Sequence, residues 1–162
     1  MHMQAYHWIR RTLASLPDRL SVLEIGSKDV NGTIRPLLGK VVRYVGIDIV
    51  EGTGVDIVAD AATFRTDERF DTIVCMEVLE HTDKGREICR TAHHHLSEGG
   101  VFLVTAATGI REPHSAIDGG PLREGEYYQN VSRASLSFWL SDFPKRYITK
   151  KQWGDIYAIA YK

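Results

Sequence analysis

Val22-Leu23-Glu24-Ile25-Gly26-Ser27-Lys28-Asp29-Val30-Asn31-Gly32 is a short apolar run that passes through one acid into a turn with a glycine at each end. The run reads as a buried strand, and the turn after it is where an open α/β sheet receives a nucleotide-like ligand, beyond the strand's carboxyl end. Gly26 lacks a side chain, so backbone N–H groups can approach a ligand there. Glu24 narrows the choice of ligand. A dinucleotide fingerprint places glycines in a G-x-G-x-x-G pattern to free a helix N-terminus for pyrophosphate, whereas a carboxylate two residues before a single early glycine repels phosphate. It suits a ligand that carries hydroxyls or a cation.

Outward from this stretch, the 162 residues fit one domain, with 43% hydrophobic and 25% charged residues and a formal net charge of −1. That balance gives no global basic field and argues against a nucleic-acid partner. Lys145, Arg146, Lys150 and Lys151 form the longest basic cluster and read as solvated cations guarding an edge strand. Cys75 and Cys89 lack metal or redox spacing and read as reduced and buried. No apolar run is long enough to span a bilayer and no signal-peptide pattern opens the chain, so the expected location is the cytoplasm.

Residues 3 to 16 space Ala5, Trp8, Ile9, Leu13 and Leu16 as one helical face that Pro17 should end; Tyr6, His7 and Trp8 either line a site or pack. After a first strand over 21 to 25, Asn31 is placed to cap a helix of about two turns over 33 to 38, closed by Gly39. The β-rich run 41 to 49 ends at Asp48, about twenty residues past the glycine turn, where a carboxylate can accept from two ribose hydroxyls. A third strand over 55 to 59 leads to Asp60, a hydrogen-bond acceptor placed to cap the next turn. Too few residues follow for a crossover helix, so 61 to 69 reads as turn or loop. A fourth strand, 70 to 76, runs into Glu77-Val78-Leu79-Glu80-His81, with His81 read as ending that strand. A helix over 84 to 96 and a fifth strand over 101 to 106 follow; within that helix His93, His94 and His95 point in different directions and read as surface or interface residues. Residues 107 to 130 form a long loop rich in Gly, Pro, His and Tyr, and a loop of that length in a small domain is usually functional. A helix over 131 to 140 with Ser132 as cap precedes two alternating strands, 146 to 150 and 156 to 160, close enough to form an antiparallel hairpin through Gln152 and Trp153.

Glu24-x-Gly26, Asp48 and the segment Phe70-Asp71-x-Ile73 through Glu77-Val78-Leu79-Glu80-His81, in this order and spacing, resemble the class I S-adenosylmethionine-dependent methyltransferases, the type 11-like group in particular. Lys28 departs from the family's motif, which has its second glycine there. The resemblance implies an α/β fold, a three-layer Rossmann-like sheet of order 3-2-1-4-5-7-6 with an antiparallel C-terminal hairpin. It implies S-adenosyl-L-methionine as cofactor and S-adenosyl-L-homocysteine as product, with Glu24, Gly26, Ser27, Asp48, Ile49, Asp60, Ala61, Met76 and Glu77 in the cofactor site.

The chemistry expected is alignment of an acceptor with a methyl donor and, for a hydroxyl acceptor, removal of its proton. His114, His81, Asp118 and Tyr127 are the candidate catalytic residues, with His114 preferred as base. Glu77, Glu80, His81 and His114 also resemble a divalent-metal set in some 2′-O-methyltransferases and ubiquinone-pathway O-methyltransferases, a role disfavoured here because many methyltransferases carry the same residues without metal. The acceptor expected is a small molecule or a sugar, most often through oxygen. The alternative is a non-catalytic cofactor-binding or interaction module on the same fold.

Overall fold

The structure is a computed structural model that describes residues 3–16, 21–39, 41, 43–151 and 153–162. The expected helix stop at Pro17, Val42 of the expected second strand and Gln152 of the expected hairpin turn lie outside these residues. Helix α1 is Met3–Ser15, followed by strands β1 (Ser21–Ile25), β2 (Arg43–Asp48), β3 (Ile57–Val58) and β4 (Phe70–Met76). Then come α2 (Gly85–His95), β5 (Leu96–Ala107), α3 (Arg133–Trp139), β6 (Lys145–Lys150) and β7 (Asp155–Tyr161). The seven strands form one sheet of order β3-β2-β1-β4-β5-β7-β6, as expected. Strands β1 to β5 run parallel, and β7 pairs antiparallel with both β5 and β6.

The central strands are apolar throughout because both sheet faces are covered, and successive side chains supply alternate layers. Val22, Val74, Val101 and Leu103 meet Ala5 and Ile9 of α1 on one face. Leu23, Ile73, Cys75, Phe102 and Val104 meet Ile88, Cys89 and Ala92 of α2 and Leu136, Leu140 and Phe143 on the other. Ser132 caps α3 as expected, its hydroxyl accepting from the Ser135 N–H at 2.9 Å. Among the described residues no helix is long and apolar enough to cross a membrane.

Four local expectations are corrected. The helix over 33 to 38 is a single 3-10 turn, Arg35–Leu37, entered through Ile34 with no side-chain cap; Pro36 withholds an N–H and six residues cannot offset the cost of a helix nucleus. The third strand shrinks to two residues at the sheet edge. His81 ends not a strand but a 3-10 turn, Leu79–His81, after β4. His95 is fully buried rather than on the surface: its Nδ1 lies 2.9 Å from the Thr91 carbonyl, and its Nε2 accepts from the Thr66 N–H. It ties the 61–69 loop to α2, a contact that no sequence spacing announces.

Candidate active site

The carboxyl ends of β1, β2 and β4, the turn after β3 and the 107–130 loop enclose a cavity of about 400 Å³, within the range of small-molecule sites. Glu24, Gly26, Asp48, Ile49, Asp60, Ala61, Met76 and Glu77 all line it. So do His81, His114 and Tyr127 from the opposite wall. Two expected residues do not. Ser27 is buried beneath the turn, where its Cβ and Oγ press against Gly46. Asp118 is exposed, and its carboxylate is taken up by Arg123 and by the Gly120 N–H. A carboxylate so occupied and held below its ordinary range is a poor proton acceptor.

The turn bends at Gly26, whose φ of 75° only glycine adopts without strain. A Cβ there would also fall 2.2 Å from Val78 Cγ2, so the glycine lets the β1 turn close on the segment after β4. Lys28 needs no positive φ. Its N–H donates to Asp48 Oδ2 at 3.1 Å, and its side chain lies against Gly52 at the cavity rim. The motif glycine missing at this position is therefore replaced by a residue whose backbone still fastens the turn to β2.

The acids differ in environment. Glu24 is buried in the wall with Tyr44 donating a short hydrogen bond to its Oε2, and desolvation raises its pKa from 4.5 to about 7. Asp48 accepts from the Lys28 and Val50 N–H groups. Asp60 accepts from the Ala62 N–H at 2.8 Å and pairs with Lys84 at 2.7 Å, which holds its carboxyl below the ordinary range.

At the floor, Glu77 has a φ of 56°, the left-handed conformation that disfavours a side chain. Its N–H donates to the Thr105 carbonyl, its Oε1 accepts from Thr105 Oγ1 at 2.9 Å, and Arg111 stands 3.9 Å from its Oε2. Glu80 is fully buried, its Oε1 accepting from the Ala107 N–H, and desolvation lifts its pKa well above the usual carboxylate range. Glu80 Oε2 finds no partner among the described residues. The rings of His81, His114 and Tyr128 meet edge-on at 5.0 to 5.3 Å. Burial, then the neighbouring His114, pushes the His81 pKa down to about 4.

Among the described residues no group of three or more His, Cys, Asp or Glu side chains is gathered closely enough to hold a metal ion. Sequence reading missed Tyr44, Lys84 and Arg111. Tyr44 sits diagonally from Glu24 on the same face of β1 and β2, a neighbour that appears only once the register Glu24↔Gly46 is known.

A family model described as a methyltransferase domain matches residues 1–143. Among curated proteins none matches the sequence significantly. Several solved structures share the fold. An N-methyltransferase, NodS, from Bradyrhizobium japonicum WM9 in complex with S-adenosyl-L-homocysteine is 19% identical with TM-score 0.67, covering 99% of this chain and 86% of that one. A protein from Pyrococcus horikoshii OT3 is 12% identical with TM-score 0.73, covering 98% and 89%. The 1,6-didemethyltoxoflavin-N1-methyltransferase of Burkholderia thailandensis is 14% identical with TM-score 0.68, covering 98% and 76%.

Proposed function

The chain belongs to the methyltransferase-domain family, and from that premise we propose that it transfers a methyl group from S-adenosyl-L-methionine to the hydroxyl of a small-molecule or sugar acceptor. The observation that carries this reading is the convergence of Glu24, Asp48 and Asp60, from three separate segments, on one cavity behind the Gly26 turn. These residues fit the cofactor. Three carboxylates are acceptors for an ammonium, two ribose hydroxyls and an adenine amino group, and none of them suits a phosphate. Glu24 gains most, because a buried carboxyl with its pKa raised to about 7 recovers charge stabilisation when a donor or cation reaches it. Ile49, exposed at the rim, offers an apolar ledge for a flat base.

When bound, the cofactor supplies an electrophilic methyl group on a sulfonium sulfur. The protein's part is to aim the acceptor, keep water out and accept a proton. The loop bearing His114, Ser115 and Ala116 covers the cavity, and Gly119 approaches the β1 turn so closely that a Cβ there would fall 2.7 Å from Asn31 Nδ2. His114 is the proposed base, facing the cavity with its Nδ1 held 3.1 Å from the Glu112 carbonyl. That contact favours a proton on Nδ1 and leaves Nε2 to receive the acceptor's proton. His81, neutral above about pH 4, adds no positive charge beside it at physiological pH. Tyr127 also lines the cavity; its hydroxyl donates to Gln129 Oε1 and keeps its lone pairs to accept from the acceptor hydroxyl. The net charge of −1 supports a small acceptor over nucleic acid.

A second reading, transfer to nitrogen, is favoured by the names of two neighbours, NodS and the toxoflavin enzyme, both N-methyltransferases. Calorimetric titration with S-adenosyl-L-homocysteine tests the cofactor site, and release of that product across hydroxyl and amine acceptors tests turnover. Binding lost in Asp48→Asn and weakened in Glu24→Gln supports the reading; failure of the wild type to bind sinks it. Binding with no turnover on any acceptor would favour the non-catalytic module.

A further inference from the structure

A second cavity, of about 370 Å³, lies between α1 and the turn joining β6 to β7. It is separate from the first and shares no residue with it. Helical spacing builds one wall: Gln4, His7, Trp8 and Arg11 fall at i, i+3, i+4 and i+7, a single stripe of α1, with Arg10 beside it. Lys151, Trp153 and Tyr157 form the other wall.

The aromatic groups are held before any ligand arrives. Trp8 stacks on Tyr157 with centroids 4.8 Å apart and planes at 27°. Trp153 Nε1–H donates to Asp155 Oδ2 at 3.0 Å, which leaves the indole 41% exposed while fixing its edge. Asp155 itself is fully buried, bonded to Arg111 at 2.7 Å and to the Tyr157 hydroxyl at 2.9 Å. Arg10, Arg11 and Lys151 make no ion pair among the described residues. Lys151 Nζ instead stands about 6 Å over both the Trp153 and Tyr157 rings. Solvated surface cations normally spread over convex ground. Here three converge on a concavity floored by rigid rings, which pairs a stacking face with positive charge and little ordering cost.

We propose that this cavity binds a flat anion, an aromatic ring bearing a phosphate or a carboxylate. The volume admits one ring and its anionic group. A polymer is disfavoured because the chain as a whole carries a net charge of −1 and no extended basic field. The inference stands independently of methyl transfer.

The test uses the full chain with S-adenosyl-L-homocysteine in excess, so that the first cavity is filled. Phenyl phosphate, benzoate, inorganic phosphate and phenol are titrated while the indole N–H resonances of Trp8 and Trp153 are followed. Phenyl phosphate or benzoate should bind with Kd at or below about 1 mM, shift both resonances and weaken as salt rises. The tighter of the two identifies the anionic group. Arg11→Glu and Lys151→Glu should each weaken binding about tenfold or more, while Lys145→Glu at the far end of β6 should not. The proposal is overturned if neither aromatic anion binds, if inorganic phosphate or phenol binds as well as phenyl phosphate, or if the two reversals at the cavity change affinity no more than Lys145→Glu.

Discussion

Replacing Glu24 by Gln should make the ligand-free protein more stable at neutral pH and a poorer binder of the cofactor. An unfolded Glu loses its proton near 4.5, whereas Glu24 in the folded wall keeps it to about 7. Between those values the folded state holds the extra proton, so stability falls as pH rises, by about 1.4 kcal/mol per pH unit and about 3 kcal/mol over the window. Above pH 7 both states are ionised and the penalty is constant. Gln cannot ionise, keeps an oxygen for the Tyr44 hydroxyl and must bury an NH2 group, which offsets part of the gain. The expected difference between variant and wild type runs from about 0 to −2 kcal/mol below pH 4.5 and climbs to about 1–3 kcal/mol by pH 7.5, at about 2–4 °C per kcal/mol in Tm. Taking the difference matters, because His81, with its pKa lowered by burial, gives a slope of the opposite sign over pH 4 to 6.5 in both proteins. Urea unfolding across pH 4 to 9 measures it. Calorimetry should show affinity for S-adenosyl-L-homocysteine rising with pH up to about 7 in the wild type, since the ligand must first ionise Glu24, and flat in Glu24→Gln. A variant less stable than wild type at pH 8, or a flat difference curve, would refute the reasoning.

Three further outcomes follow from the geometry. Gly26→Ala must place a side chain at φ 75° and 2.2 Å from Val78 Cγ2, at a cost of about 2–4 kcal/mol, while Gly99→Ala at φ 74° with nothing within 4 Å bears only the backbone part of about 1–2 kcal/mol; denaturant midpoints of the two separate contact from conformation. Arg111→Ala strips fully buried Asp155 of its cation and should cost about 3–5 kcal/mol by thermal or urea unfolding, with part recovered on adding Asp155→Asn. His114→Ala should lower kcat about 10²-fold or more on a hydroxyl acceptor, with cofactor Kd unchanged; an unchanged kcat would move the base elsewhere.

The strand order, the hairpin, the α3 cap and the acids Glu24, Asp48 and Asp60 were legible in the chain because each is written locally: an apolar run, a turn residue, an acid at a strand end. Such signals need only the backbone's periodicity and the short reach of a turn. Other features have no local code. Tyr44 donates a hydrogen bond to Glu24 across a strand register, Lys84 reaches back 24 residues to Asp60, and Arg111 reaches 44 forward to Asp155. His95 looked like one of three surface histidines and is the most buried of them, because the loop before β4 folds over it. Asp118 looked like a base and is spent on Arg123, a choice made by how the loop closes on itself. Neighbours along the chain set most of the elements and the places of their polar ends, the 3-10 turn at Arg35–Leu37 and the shortened β3 excepted. Packing across the fold sets which of those polar groups is buried, paired or open to a ligand, because desolvation and hydrogen bonding depend on what surrounds a group rather than on what precedes it.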